Sequence, residues 1–227
     1  MIKKYLSEII EINNPAENIY TVTFKRLNRG YKYKPGQFLH LAIDEYDGIG
    51  QWPESRCFSM HSSPDEELLK ITYSVKGQFT NRMAEELHPK RQVWLKMPYG
   101  DLFQQQHKKE NTVFIAGGTG ITPYLSLFAS SQFAEYKTPK LYFGVRNNSF
   151  NIYEEELKKA KEINKGLEIY KKIEEKDGML NIQNILESEG KNSDYFISGP
   201  PLMISNFKNY LIDNIIPEQN IKTDDWE

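Results

Sequence analysis

The run VFIAGGTGITPYLSLF, Val113–Phe128, passes from four apolar residues through three glycines and a threonine into a helical pattern with a proline near its start. Gly117, Gly118 and Gly120 let the backbone turn tightly and approach a bound group closely. The helix behind them aims free N–H groups and a positive dipole end at the loop. Such a turn is a seat for an anion, a phosphate above all, or else a purely structural strand-to-helix turn. Pro123 suits a first helical turn, where its missing N–H has no partner to lose. The remainder of the chain decides between the two.

The chain has 227 residues, 39% hydrophobic and 13% aromatic, which is a globular composition with room for one large domain or two modest ones. A net charge of −2, from 29 basic and 31 acidic residues, leaves no footprint for nucleic acid or an anionic membrane. No apolar run approaches the length of a membrane-spanning helix, and MIKKYLSEII carries no signal-peptide core, so a cytoplasmic location is expected. The single cysteine, Cys57, excludes an internal disulfide and a cysteine-ligated cluster, and the histidines at 40, 61, 88 and 107 lack close metal-ligand spacing. No metal site is expected. If the chain moves electrons, its carrier is organic or supplied from outside.

Two rhythms follow one another. Up to about residue 103, short alternating segments (NIYTVTFKRL, GQFLHLAI, RCFSMHS, LLKITYSV, QVWLKM) are separated by Gly, Pro, Asn and Asp, the pattern of an antiparallel barrel or sandwich. One helix is expected around TNRMAEEL, with apolar Met83, Ala84 and Leu87. The polar stretch QQQHKKEN at 104–111 marks a boundary, dividing the chain into 1–105 and 106–227. Beyond it, strands TVFIA, KLYFGV, LEIYKKI, DYFIS and NIKT alternate with four helical segments, which predicts a doubly wound α/β domain with a five-stranded parallel sheet of order 3-2-1-4-5. In such sheets ligands lie beyond the carboxyl ends of the strands where the order reverses, and both the glycine loop and the turn SGPP at 198–201 fall there.

The motifs RCFS at 56–59, GQFT at 77–80, GGTGITP at 117–123 and SGPP at 198–201, in this order on a barrel followed by a parallel domain, resemble the ferredoxin–NADP reductase family of flavoenzymes. The resemblance spans nearly the whole chain. It implies an N-terminal FAD-binding barrel and a C-terminal domain for NADH or NADPH. An isolated arginine reads as a surface salt bridge and a lone phenylalanine as core; the resemblance instead sets Arg56 on the flavin phosphates and Phe58 against the isoalloxazine, where relatives carry tyrosine. It brings Ser59 to the flavin N5 atom. Cys57, between them, points to the opposite strand face and reads as inert core, although it stands within the flavin-binding motif. The resemblance further implies flavin contacts for Tyr73 and Val75 and for the turn Gly77, Gln78, Phe79 and Thr80, with Thr80 also a candidate helix N-cap. Val75 and Lys76 offer backbone groups to the ring edge. His61 reads as a satisfied structural histidine.

In the second domain the resemblance makes Gly118, Thr119 and Gly120, with Pro123, the nicotinamide pyrophosphate loop. Ser198 stands where many members carry a cysteine beside the nicotinamide, followed by Gly199 and Pro200, and Arg146 resembles an arginine that reaches the dinucleotide. Trp226 resembles the terminal aromatic that relatives stack over the flavin, though here Glu227 follows it. Ser59, Ser198 and Trp226 are thus the catalytic candidates. The choice between NADH and NADPH stays open: Arg146, Ser149, Lys171 and Lys172 oppose Glu174 and Glu175 beyond the second and third strands of the sheet. The implied activity is hydride transfer between NAD(P)H and bound FAD, with electrons passed to or from a separate ferredoxin, flavodoxin or oxygenase component. The alternatives are a free-flavin reductase and a non-catalytic redox-sensing subunit.

Overall fold

The structure is a computed structural model that describes residues 1–26 and 30–224. The first half holds β1 (Lys3–Ala16), β2 (Ile19–Arg26), β3 (Phe38–Ala42), β4 (Ser55–Ser59), β5 (Leu69–Ser74), α1 (Gln78–Glu86) and β6 (Gln92–Tyr99). Its six strands form one antiparallel sheet of order β4-β3-β6-β1-β2-β5. A bridge between Met60 and Ile71 brings the end of β4 back to β5 and rolls the sheet into a barrel.

β1 is the element the sequence reading left out. Tyr5, Ser7 and Ile9 alternate into the interior, but a register shift between Ile9 and Glu11 breaks the alternation. A bulge of this kind sets two residues against one. The result, EIIEI, carries neither a clean two-residue period nor a turn signal.

The second half holds β7 (Thr112–Gly117), α2 (Thr122–Phe128), β8 (Lys140–Val145), α3 (Glu154–Ile163), β9 (Glu168–Ile173), α4 (Glu174–Asp177), α5 (Ile182–Glu189), β10 (Asp194–Ser198), α6 (Pro201–Asp213) and β11 (Ile221–Thr223). The five strands are parallel in the order β11-β10-β7-β8-β9, the expected 3-2-1-4-5 arrangement. Successive residues of β7 serve opposite cores: Phe114 and Ala116 pack beneath α2 and α3, whereas Val113 and Ile115 pack against α5 and α6. That alternation is the two-residue period of a strand buried on both faces. The helical segment behind the glycine loop ends at Phe128, and a separate 3-10 turn covers Ser131–Glu135.

The halves meet along a polar seam. Ser126 Oγ donates to the Ser62 carbonyl at 2.7 Å, and the Ser131 N–H donates to Asp65 Oδ2 at 3.0 Å. His61 is buried there, its Nδ1 2.9 Å from Thr72 Oγ1 and its Nε2 3.8 Å from Glu156 Oε1. Burial, with Lys70 adding to it, pushes the imidazole pKa down to about 4, so it is the structural, neutral histidine that was expected.

Candidate functional site

A cavity of about 990 Å³ opens at this seam, bordered by β4 and β5, the start of α1, the glycine loop after β7 and the turn after β10. Its size suits a cofactor site. All four sequence motifs line it, although they lie as far apart in the chain as Arg56 and Pro201.

On the barrel side, Phe58 presents a nearly buried ring tilted against Tyr73, with centroids 5.8 Å apart, and Tyr73 is backed by the parallel ring of Tyr20 at 5.5 Å. Burial first, then the neighbouring Tyr20, raises the Tyr73 phenol pKa, so it stays protonated. Arg56 lies at the rim, half exposed. Its guanidinium donates to Glu54 Oε1 and to the Ser55 carbonyl, both at 2.9 Å, and stands 5.2 Å from the Phe79 ring centre.

The α1 start is organised differently from the expectation for Thr80. Gly77 is the N-cap, and Thr80, at the third helical position, reaches back: its Oγ1 accepts from the N–H groups of Lys76 at 2.9 Å and Gly77 at 3.1 Å. The Val75 N–H donates to the Asn18 carbonyl at 2.8 Å. The backbone donors of Val75 and Lys76 are therefore engaged inside the protein, and Val75 packs on the barrel core without lining the cavity. Cys57 also departs from its expected place in the core. It is half buried on the cavity wall, Sγ 3.4 Å from His40 Nε2, and the His40 pKa is lowered by burial and then by Lys96.

On the α/β side, Gly118 adopts φ +54°, a left-handed conformation that favours glycine. A methyl group there would meet nothing within 4 Å, and the same holds for Gly77. Both loops thus leave open space where a side chain would stand, as a phosphate chain lying against backbone requires. Gly120 serves another end, because a methyl on it would lie 2.4 Å from the Gly199 Cα, so the two loops abut. Pro123 falls in the first turn of α2 as expected, but it is buried and does not border the cavity. Its contribution is to start the helix.

The two candidate serines, from opposite halves, share one partner. Ser59 Oγ donates to Asp224 Oδ2 at 3.0 Å and Ser198 Oγ donates to the same oxygen at 3.2 Å. Asp224 directly follows β11, its own N–H held by the Ile197 carbonyl at 3.0 Å. Sequence reasoning missed it by weighing only the aromatic in that tail. The available signal was a carboxylate at the carboxyl end of a strand beside β10. Trp226 lies outside the described residues. Among the described residues no group of His, Cys, Asp and Glu is arranged to hold a metal. No helix among them is long and apolar enough to cross a membrane.

The geometry agrees with what known proteins share with this chain. The FAD-binding domain family matches residues 5–123, more than half of the chain, and the oxidoreductase NAD-binding domain matches residues 114–209. The chain belongs to the ferredoxin–NADP reductase family. Among solved members of this fold, a ferredoxin–NADP+ reductase from Neisseria gonorrhoeae, with bound FAD and NADP, superposes with a TM-score of 0.79 at 19% identity, covering 98% of each chain. A cytochrome P450 reductase from Amycolatopsis gives a TM-score of 0.81 at 18% identity, covering 98% of this chain and 69% of that one. At these identities the likeness concerns the fold. Curated relatives include dual oxidase 2 of Sus scrofa, 31% identical over 154 residues that make up 62% of this chain and 10% of that protein. Dual oxidase 1 of Homo sapiens is 30% identical over 139 residues, 54% of this chain and 9% of that protein. The chain spans about a tenth of the length of these curated relatives.

Proposed function

We propose that the chain is an NAD(P)H-dependent flavoprotein reductase that exchanges a hydride between the nicotinamide and a bound FAD, and passes electrons to or from a separate acceptor protein. The observation that carries this reading is the pair of serines, one from each half, held on a single carboxylate inside a cavity walled by two loops that leave open space at Gly77 and Gly118. In this reading residues 1–105 hold FAD and residues 106–227 hold the dinucleotide.

Arg56 and the open backbone at Gly77, with Gln78, Phe79 and Thr80 beside it, would hold the FAD pyrophosphate. Phe58 and Tyr73 would flank the ring system. The cofactors supply the redox chemistry, accepting a hydride as a pair of electrons and releasing electrons to an acceptor. The protein's part is positioning. Ser59 and Ser198, oriented by Asp224, define where flavin and nicotinamide meet, and Gly118, Thr119 and Gly120 would seat the nicotinamide pyrophosphate. Gly199 and Pro200 close that side, and Arg146 stands where the adenosine half would run. Cys57 is the sole cysteine of the chain, which favours an acceptor on another protein, such as a ferredoxin, flavodoxin or oxygenase component, over an internal cluster.

The test is direct. Purified protein should be yellow, release FAD on heating as identified by mass, and bleach on adding NADH or NADPH without added flavin. A colourless protein that binds no FAD sinks the reading. Flavin lost on gel filtration and needed at substrate concentration would mark a free-flavin reductase instead.

A further inference from the structure

The parallel sheet ends in two edges of unlike character. β11 is three residues long and offers little to pair with. β9, at the other end, runs six residues in unbroken register with β8 from Glu168 to Ile173, and among the described residues no strand lies beyond it. It holds no proline and no bulge, and most of its side chains are exposed. An edge of that kind is a template for another strand.

The register fixes which backbone groups face outward. The Glu168 N–H donates to the Pro139 carbonyl at 3.0 Å, so the backbone groups of Glu168, Tyr170 and Lys172 serve β8, and those of Ile169, Lys171 and Ile173 point away from it. Both ends of this outward row are closed. The Ile173 N–H donates to Asp177 Oδ2 at 3.1 Å, and the Leu167 N–H donates to the Asn164 carbonyl at 3.1 Å. Ile169 and Lys171 are left open, each with a donor and an acceptor.

One two-fold pairing uses both. In an antiparallel pair of identical strands centred on Tyr170, Ile169 of each copy exchanges two hydrogen bonds with Lys171 of the other. The same register sets Glu168 opposite the second copy's Lys172, and the reverse, with Cα atoms about 4.5 Å apart. Centring on Lys171 would oppose that lysine to itself, and centring on Ile169 would need the Leu167 N–H that Asn164 already holds. The charges suit the first arrangement. Lys171 is neutralised within its own copy by Glu154 of α3 at 3.2 Å. Lys172 donates to the Asp177 carbonyl at 3.4 Å and, among the described residues, forms no ion pair. Glu168 Oε2 accepts from the Tyr170 hydroxyl at 2.6 Å, which holds the carboxylate along the edge. The Tyr170 ring, 42% exposed, stacks on Tyr142 of β8 with centroids 4.7 Å apart, and on the axis two such pairs would meet as one row of rings.

We propose that the chain forms a two-fold dimer by antiparallel pairing of β9 with β9 of a second copy, which joins the two five-stranded sheets into one. Lys172 also borders the cavity, so Glu168 of the second copy supplies a carboxylate at that rim. The dimer does not depend on which cofactor fills the cavity.

The test is sedimentation velocity of the full chain over a wide range of concentration. The parent should pass from monomer to dimer as concentration rises. Glu168→Lys and Lys172→Glu each set two like-charged pairs across the axis and should raise the dimer dissociation constant roughly tenfold or more. The two substitutions together restore opposite charges in both pairs and should return the parent's constant. Lys171→Pro removes an outward N–H at a position where an edge strand accepts proline, and should leave a monomer. A parent that stays monomeric throughout, single charge variants that associate as the parent does, or a double variant no more associated than the singles overturns the inference. A folded Lys171→Pro chain that still dimerises does so too, and should that variant fail to fold the charge variants decide alone.

Discussion

Replacing Gly120 by alanine tests whether the two glycine loops form one wall. The added methyl would stand 2.4 Å from Gly199 Cα, 2.5 Å from Gly199 N and 2.7 Å from the Ser198 carbonyl carbon. Carbon atoms settle at about 3.5–4.0 Å, so the deficit exceeds an ångström, and every partner is backbone that cannot rotate away. Overpacking typically costs about 1–3 kcal/mol, and a backbone clash of this depth belongs at the upper end. At about 3 kcal/mol, a chain of this size should lose roughly 6–12 °C in Tm. Gly118→Ala is the control. Its φ of +54° penalises alanine, but its methyl meets nothing within 4 Å. It should cost only about 1 kcal/mol, or roughly 2–4 °C. Nucleotide binding should reverse the order of severity relative to stability: Gly118→Ala projects into the cavity and should lower dinucleotide affinity out of proportion to its small Tm loss. Calorimetric scans and titrations of both variants give the comparison. A Gly120→Ala protein with the parent Tm would refute the abutment of the two loops.

Arg56→Ala should weaken FAD affinity tenfold or more and so lower FAD occupancy, from the loss of charge-assisted bonds of about 1.5–3 kcal/mol, while the Tm of the flavin-free protein barely moves because the ion pair with Glu54 is half exposed. Occupancy equal to the parent's would leave Arg56 a surface residue. His61 should make stability fall with acid. Its folded pKa of about 4 lies below the ordinary 6.5, so the stabilisation is complete above pH 6.5 and is lost as the pH falls from 6.5 through 4. By linkage the loss at pH 5 is about 2 kcal/mol. Urea titrations at pH 7 and pH 5 should show it in the parent and not in His61→Asn; equal pH slopes would contradict the burial of a neutral imidazole. Asp224→Ala should slow bleaching of the flavin by NAD(P)H on the order of tenfold at unchanged FAD occupancy, by freeing both serine hydroxyls. A stopped-flow rate equal to the parent's would reduce Asp224 to a structural clasp.

The second half of the chain was legible because its strands are buried on both faces and bounded by glycine and proline. TVFIA, KLYFGV and DYFIS became β7, β8 and β10 almost residue for residue. β1 was not legible, because a bulge interrupts its alternation and apolar Leu6 and Ile10 stand on its less buried face. The motif residues proved to share one cavity, since short motifs report local backbone shape. What escaped were relations across the fold. Asp224 acquires its place only when β11 lies beside β10. The donors of Val75 and Lys76 looked available because their partners, Asn18 and Thr80, are fixed by tertiary and helix-start geometry that no local pattern announces.

The shared carboxylate of Asp224 also works as a gauge of spacing. A hydrogen bond of 3.0–3.2 Å tolerates only a few tenths of an ångström of stretch, and one oxygen here spans hydroxyls from both halves. Because Asp224 and Ser198 both ride on the parallel sheet, any rocking of the barrel against that sheet falls on the Ser59 contact, at the point where flavin and nicotinamide would face each other. Distance between the halves and readiness of the site thereby become a single coordinate. An infrared band from that carboxylate would follow it in real time.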